Sequence, residues 1–450
     1  MRRALHVQAR LVTIHFDLRL GPFSRDDVCV ALVFLRELLT ESKPGEVRVR
    51  NVLGRMVASH LVVGAPISRT QVKAFVLCDV LGGVKMRGPG RPLLPGQPDL
   101  SLFPVELWSR LAAKHAKRAL YDLAHLDSLG YRPLRQAICD YVARLRGVRC
   151  EPDQVLIVSG AQQALFLCAH SLLDPGEPVW MEDPGYPRAR AAFLGAGLRI
   201  VPVPVDSQGM IIATGRKRES SPKLIFVTPS FQCPTGSMMS LQRRFDLLRL
   251  SSAKKAWILE DDFFSEFRYG SGPVASLQSL DRNERVIYIA NFSKSVVPSL
   301  RIGYLILPPS LVDAFKKIRP TLSRQPPGGD QAVLAEFLGE GHLEKYVRAT
   351  LRLYRERQEA LTGAIRNEDR GMLEVTAGGT GMYLVAWLRP GVNDDAVARA
   401  AVAHDVDVVP LSTFAIKPLV RSGLVLGFSA YEPWQIRAAV TRLCAAMANS

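Results

Sequence analysis

Short apolar runs alternate with amphipathic stretches after residue 98. The runs are continuous and bounded by turn residues, as is typical of strands buried on both faces of a sheet. The stretches between them, such as Gln162–Leu173 and Leu241–Ala253, have the apolar spacing of helices. This alternation predicts an α/β fold with a mostly parallel sheet flanked by helices. The predicted strands are Val155–Val158, Val179–Met181, Arg199–Val203, Leu224–Val227, Trp257–Leu259 and Val286–Ile289.

The pattern changes after residue 310, where a long helical stretch is predicted from Leu311 through Ile365. Two further strands follow, at Tyr383–Trp387 and Leu424–Leu426. We therefore predict a large domain at residues 99–310, and the long helix with a smaller α+β domain at residues 311–450.

The first 86 residues are less regular, with apolar segments at Val28–Leu39 and Glu46–Ala58 that suit helices. A stretch rich in proline and glycine follows at residues 87–98 and predicts a linker. Residues 1–86 are thus predicted to be a separate N-terminal segment.

The net charge of +16 is concentrated near the start of the chain. Residues 1–95 contain 15 Lys and Arg against 7 Asp and Glu. This bias permits binding to nucleic-acid phosphates, although an arginine-rich coding bias explains it equally well. The seven cysteines show no metal-ligand spacing, and no apolar run reaches membrane-spanning length. We expect a cytoplasmic protein with reduced thiols, no membrane segment and no metal.

Candidate functional residues follow the predicted strands, because ligands bind at the carboxyl ends of strands in an open α/β sheet. Gly160, Ala161 and Gln162 open a helix whose free amides suit a phosphate; a plain turn is the alternative. Tyr186 can stack on a flat ligand or lie in a surface turn. Cys233 lies in a loop stiffened by two prolines and a glycine.

Two further motifs carry charge. Three carboxylates, Glu260–Asp262, end a buried strand, which is costly unless one has a cationic partner such as a pyridinium nitrogen. The alternative is an N-cap cluster for the next helix. Ser293 and Lys294 precede Arg301, so that a nucleophilic lysine and phosphate-binding groups lie in one stretch. The alternative there is a solvated surface.

Together these motifs resemble the fold-type I pyridoxal-phosphate aminotransferases. The resemblance is most specific to the aminotransferase-like domain of the MocR branch of GntR-type regulators, and it covers roughly residues 93–446. The matching segments, in family order, are Leu94–Asp99, Phe103–Trp108, Ser159–Leu165, Glu182–Pro187, Cys233–Gly236, Glu260–Asp262, Ser265–Tyr269 and Phe292–Lys294 with Arg301.

The resemblance implies pyridoxal 5'-phosphate as cofactor and a role for each matching residue. Lys294 would form the internal aldimine and move the proton, and Asp261 would pair with the pyridine nitrogen. Tyr186 would stack on the ring, and Cys233 would lie beside it. The phosphate would be held by the turn at Gly160, Ala161 and Gln162, together with Ser293 and Arg301. Arg188 is our candidate for a substrate carboxylate, and a solvated surface arginine is the alternative.

The chain also departs from the family pattern. Phe263 stands where a tyrosine usually donates to the cofactor's phenolic oxygen, and Cys233 stands where asparagine is common. Asn291 replaces a Thr or Ser, and Val425 occupies the place of a carboxylate-binding arginine. The family's loop to a neighbouring subunit reads His125–Ser128 here. We expect cofactor binding to survive these changes better than fast transamination does.

A MocR regulator carries a winged helix-turn-helix at its N-terminus, and only Ile67–Val72 echoes its recognition helix here. Two hypotheses follow. In the first, the protein is a regulator that binds an amino compound as an aldimine to control DNA binding through residues 1–86. In the second, it is a stand-alone aminotransferase acting on an amino acid and a 2-oxo acid. The resemblance implies a homodimer in both.

Overall fold

The computed structural model describes residues 8–9, 12–13, 91–122, 127–269, 274–323, 327–368, 371–375 and 380–448. The chain divides into two compact units, residues 1–66 and 67–450. In the first unit, the strands β1 (Gln8–Ala9) and β2 (Val12–Thr13) pair antiparallel. The predicted DNA-binding segment, including Ile67–Val72, otherwise lies outside the described residues.

An eight-stranded sheet forms the centre of the second unit. Its strands are β3 (Val155–Val158), β4 (Pro178–Asp183), β5 (Arg199–Asp206), β6 (Gly209–Met210), β7 (Leu224–Val227), β8 (Trp257–Asp261), β9 (Val286–Asn291) and β10 (Gly303–Ile306). They lie in the order β3-β10-β9-β8-β7-β4-β5-β6. The series β9-β8-β7-β4-β5 pairs parallel, whereas β10 and β6 pair antiparallel with their neighbours. The predicted mostly parallel sheet is confirmed.

Both faces of this sheet are covered, which explains why its strands are continuous apolar runs. In β3, Val155 and Ile157 pack into one core cluster, and Leu156 and Val158 pack into another on the opposite face. The helices that precede and connect these strands supply much of the opposing surface. They are α1 (Val105–Asp122), α2 (Arg132–Arg146), α3 (Ala161–Leu172), α4 (Pro187–Gly195), α5 (Ile212–Arg218), α6 (Leu241–Lys254) and α7 (Leu277–Leu280).

The helical stretch predicted from Leu311 through Ile365 is divided into α8 (Pro309–Leu322), α9 (Gly328–Gly339) and α10 (His342–Glu368). Pro327 precedes α9, and Gly341, between α9 and α10, has a φ of 73°. Proline interrupts helical hydrogen bonding, and a left-handed residue ends a helix. No helix within the described ranges is both long and apolar enough to cross a bilayer.

A second sheet of four antiparallel strands lies in the C-terminal part, in the order β11-β12-β14-β13. Its strands are β11 (Leu373–Val375), β12 (Tyr383–Leu388), β13 (Val409–Pro410) and β14 (Gly423–Gly427). The helices α11 (Asp394–Ala403) and α12 (Pro433–Ala448) pack with it and with α10 around one core cluster. The predicted smaller α+β portion is therefore present.

The segment Leu93–Gly96, which the sequence places in the linker, packs into this smaller core. Leu93 is fully buried and has a left-handed φ of 75°, which is uncommon for a residue with a side chain. Its carbonyl accepts a hydrogen bond from the Gly427 N–H at 2.7 Å. A Cβ on Gly427 would lie 2.2 Å from the Leu94 carbonyl oxygen. This close backbone approach requires glycine at the end of β14.

We expect Gly427→Ala to lower the free energy of unfolding by about 1–3 kcal/mol, because the new methyl group forces the two backbones apart. Gly363→Ala is the matched control, since a Cβ at that position in α10 meets nothing within 4 Å. Alanine there should stabilise the helix by about 0.5–1 kcal/mol. Chemical denaturation measures both changes, and an equal response of the two variants would contradict the packing described.

Candidate active site

The predicted site residues meet at one edge of the eight-stranded sheet. Because β3 and the parallel series β9-β8-β7-β4-β5 point the same way, their carboxyl ends lie at this edge, and the antiparallel β10 begins there. Following the sheet order, the residues that emerge are Gly160 after β3, Arg301 before β10, Ser293 and Lys294 after β9, Asp261 in β8, Cys233 after β7 and Tyr186 after β4. The sheet topology thus brings together residues that are up to 141 positions apart in the sequence.

Lys294 is buried, and its ammonium group donates to the Gly96 carbonyl oxygen at 2.5 Å. Burial, followed by the cationic Arg188 and Arg301, lowers the pKa of Lys294 to about 8. A lysine with this pKa is partly neutral near pH 8 and is therefore a competent nucleophile. The partner Gly96 belongs to the packed segment Leu93–Gly96, so the predicted linker contributes to the site.

The three consecutive carboxylates have three different environments. Glu260 accepts hydrogen bonds from the Leu277 and Gln278 amides at 2.8 and 2.9 Å, at the start of the short helix α7. Asp262 accepts from Arg146 Nε at 2.7 Å and from the Tyr288 hydroxyl at 2.6 Å. The predicted alternative, an N-cap cluster, therefore applies to the glutamate rather than to an aspartate.

Asp261 is the carboxylate that remains available to a ligand. It is 3% exposed, and its Oδ1 has no hydrogen-bond partner among the residues that the structure describes. Burial, followed by the nearby carboxylates of Asp262 and Glu182, raises the pKa of Asp261 to about 7. A cation placed against Oδ1 would favour the ionised form, so this environment suits a protonated pyridine nitrogen.

Gly160 and Arg301 form a compact pocket at the start of α3. Gly160, with a φ of 82°, precedes the helix, and Arg301 Nη2 donates to the Ser159 carbonyl at 3.2 Å. A Cβ on Gly160 would lie 2.7 Å from the same guanidinium nitrogen. Free helix amides beside a guanidinium suit a phosphate group. Ser293 lies in a turn in which its N–H donates to the Asn291 side chain at 3.1 Å, so Asn291 supports the turn before Lys294.

Tyr186 lies at the start of α4 and interacts electrostatically with Asp261, Arg188, Cys233 and Arg301. Burial raises the pKa of both Tyr186 and Cys233 well above their ordinary values. The Cys233 thiol is therefore neutral and is not a nucleophile here. A neutral phenol at the centre of these groups can serve as a stacking surface.

Arg188 lies in α4, and its charge acts on both Lys294 and Tyr186. Within the described ranges, its guanidinium forms no hydrogen bond or ion pair with another side chain. Gln162 lies close to it and donates to the Arg188 carbonyl at 3.3 Å. A cation near the lysine without a protein anion is suited to an anionic group of a ligand.

The other departures from the family pattern have definite positions. Val425 is fully buried in β14. Arg421 forms an ion pair with Glu374 at 2.7 Å and donates to the Leu388 carbonyl, so it is engaged at the edge of the smaller sheet. Phe263 packs against Phe264 with ring centroids 4.5 Å apart. The loop residues His125 and Leu126 lie outside the described residues.

Sequence reasoning missed Arg146 and Glu182, which lie close to Asp261 and its neighbour. Arg146 is buried at the end of α2 and pairs with Asp262, next to Asp261. Glu182 accepts from the Thr228 hydroxyl at 2.7 Å and acts on Asp261. No local pattern identifies Arg146, whereas Glu182 lies in the same motif as Tyr186, at Glu182–Pro187.

Comparison with known proteins identifies the family. The model for aminotransferase class I and II matches residues 109–439. This chain belongs to that family. It is 38% identical over 350 residues to a protein of Rhizobium meliloti named probable rhizopine catabolism regulatory protein MocR, covering 78% of this chain and 71% of that relative. It is 34% identical to the HTH-type transcriptional regulator TauR of Rhodobacter capsulatus, covering 79% and 73% of the two chains.

A solved structure of similar fold is LysN, an α-aminoadipate aminotransferase of Thermus thermophilus, complexed with N-(5'-phosphopyridoxyl)-L-leucine. The TM-score is 0.74 at 28% identity, covering 82% of this chain and 94% of LysN. The fold class and the resemblance to MocR regulators, both predicted from the sequence, are confirmed. Family and structural likeness also support the predicted cofactor, pyridoxal phosphate, and the unpaired Asp261 oxygen and the Gly160–Arg301 pocket fit it.

We expect Asp261→Asn to stabilise the cofactor-free protein at pH 8 by on the order of 1–3 kcal/mol. The folded-state pKa of about 7 lies above the ordinary value of 3.8, so the ionised carboxylate opposes folding. Its unfavourable effect develops as the pH rises from about 4 through about 7. The variant should lose this pH dependence in chemical denaturation and should bind pyridoxal phosphate less tightly.

Asp262→Asn is the control for this prediction. It removes a charged partner from the buried Arg146 and should destabilise the protein by on the order of 3 kcal/mol. Shifts of the same sign in the two variants would contradict the distinct environments of these adjacent aspartates.

Proposed function

We propose that this protein is a pyridoxal-phosphate-binding regulator of the MocR/GntR type, in which an amino compound bound at the Lys294 site controls DNA binding and transcription. The proposal is supported by the named relatives, which include two regulators at 38% and 34% identity. It also rests on the charge of residues 1–95, which suits phosphate contacts with DNA.

One observation carries the small-molecule part of the proposal. Lys294 is a buried lysine with its pKa lowered to about 8, at the same sheet edge as the unpaired Asp261 oxygen. A lysine that is buried only for packing would not need an uncompensated carboxylate nearby. The pair therefore points to a ligand that has both a carbonyl group for the amine and a cationic nitrogen for the carboxylate.

When bound, pyridoxal phosphate supplies a reactive aldehyde and a protonated ring that withdraws electrons. The chain's own residues position the reactants. We assign Asp261 to keep the ring nitrogen protonated and Tyr186 to cover one ring face. The amides that begin α3, with Ser293 and Arg301, hold the phosphate. Lys294, once released from its contact with Gly96, takes or returns the proton.

Arg188 is assigned to the carboxylate of the amino compound. It carries a guanidinium that is unpaired within the described part of the chain, and it lies close enough to Lys294 to lower the lysine pKa. Val425 and the engaged Arg421 leave β14 and its flank without a free guanidinium for this task. We therefore infer that the amino compound carries an acidic group, which enters from the α4 side of the site.

A stand-alone aminotransferase is the second candidate. The chain retains the lysine and the residues assigned to the ring and the phosphate. Because the same groups would serve turnover, their presence favours the enzyme. Phe263, Cys233 and Val425 weigh against fast transfer to a 2-oxo acid. In either case we propose a cytoplasmic homodimer.

We expect the full-length protein to shift DNA from its own upstream intergenic region at a stated salt concentration. An amino acid that changes the visible absorption of the bound cofactor should alter that shift. Lys294→Ala should lose the visible absorption and the response, because no amine is left to hold the cofactor covalently. Absence of a sequence-specific shift, together with amino transfer to a 2-oxo acid, would establish the enzyme in place of the regulator.

We expect Arg188→Gln to weaken binding of amino acids by about 10-fold or more, since a charge-assisted hydrogen bond is lost. Amines that lack the carboxylate, such as ethylamine compared with alanine, should bind the variant and the parent equally. Arg216→Gln, on the exposed side of α5, is the control. Spectral titration measures the affinities, and an equal loss for both ligand classes would remove Arg188 from the carboxylate role.

A further inference from the structure

Tyr383 is a buried tyrosine whose hydroxyl has no oxygen or nitrogen acceptor among the described residues. It begins β12 and is 7% exposed, and its ring packs on Phe231 and Phe264 at centroid distances of 5.2 and 5.6 Å. The hydrogen-bond partner of the hydroxyl within the described ranges is the Cys233 thiol, which is a weak acceptor. Its electrostatic neighbours are the Cys233 thiol and Tyr186, both at the active-site edge.

Such a hydroxyl is costly to bury. Leaving a polar group unpaired in the interior costs about 1–3 kcal/mol, whereas phenylalanine would fill the same space without this cost. The surrounding rings of Phe231 and Phe264 offer no acceptor, and a neutral thiol is a weak one. The arrangement is therefore suited to an acceptor that a ligand brings.

The order of groups along the sheet edge indicates which acceptor this is. In pyridoxal phosphate, the phosphate arm and the ring oxygen lie on opposite sides of the aldehyde carbon, and the ring nitrogen lies across the ring from that carbon. The predicted phosphate-binding residues Gly160 and Arg301 flank β3 and β10, at one end of the sheet edge. Asp261 in β8 lies between these residues and Cys233, which follows β7. The ring oxygen consequently faces the loop that contains Cys233, where Tyr383 lies.

Phe263, Cys233 and Gln232 cannot supply a strong donor at this position. Phe263 has no hydroxyl, and its ring packs against Phe264 and Phe231. Cys233 is a weak donor. The Gln232 amide nitrogen is already engaged with the Pro184 and Cys233 carbonyls, each at 2.8 Å.

We propose that the Tyr383 hydroxyl, reaching in from the smaller sheet, donates the hydrogen bond to the ring oxygen of the bound cofactor. This inference rests on the proposed cofactor site, and it adds a contact from the C-terminal part of the chain. A donor at this oxygen stabilises the state in which the oxygen carries full negative charge. Tyr383 therefore tunes the protonation of the bound cofactor as well as its affinity.

The test uses full-length protein loaded with pyridoxal phosphate in amine-free buffer. We expect Tyr383→Phe to move the pH midpoint of the visible absorption change upward by about one unit, the size of a typical charged hydrogen bond. Cofactor affinity should fall by about 10-fold for the same reason. Tyr431→Phe, which removes another buried hydroxyl from the smaller core, should leave both quantities unchanged.

A second variant keeps the proposal separate from a general structural defect. Adding Phe263→Tyr to Tyr383→Phe supplies a new hydroxyl near the same loop and should move the midpoint back toward that of the parent protein. An unchanged midpoint and affinity in Tyr383→Phe would overturn the proposal. So would an effect confined to the binding of added amino acids, because the hydroxyl would then serve the ligand. If the parent protein binds no cofactor, the proposed function fails together with this inference.

Discussion

A buried carboxylate oxygen without a partner is the constraint on which this structure is centred. Asp261 is placed at the end of a strand that is covered on both faces, where an ionised group is stable only beside a cation. The neighbouring Asp262 is neutralised by Arg146, and Glu260 is satisfied by amides of α7. These arrangements leave Asp261 as the one carboxylate of the three without a hydrogen bond or ion pair within the described part of the chain, so its ionised form opposes folding.

The lysine illustrates the same relation between folding and chemistry. Its nearest partner is a carbonyl in the segment Leu93–Gly96, which is held in place because β14 ends in glycine. A carbonyl accepts a hydrogen bond but does not balance the lysine charge, and two arginines lie nearby. The environment therefore favours a neutral amine, and the C-terminal part of the chain controls the reactive group of the large sheet.

Much of this site was predictable because its residues occupy short motifs next to apolar strands. The sequence placed Asp261, Lys294, Tyr186 and Gly160 after strands, and the structure has them at one edge. The antiparallel β10 escaped prediction because it has only four residues and begins two positions after Arg301. Arg146 and Tyr383 escaped because their relevant neighbours are more than 80 positions away in sequence.

The sequence by itself determined the α/β class, the parallel strands and the family, because each follows from local periodicity or a contiguous motif. Only the tertiary structure decided which of the three carboxylates is free, how the expected helix after Leu311 is divided, and which side chains lie beside the Cys233 loop. Those outcomes depend on contacts between distant segments, such as Arg146 with Asp262 and Tyr383 with the Cys233 loop. Periodicity and spacing carry no information about such contacts.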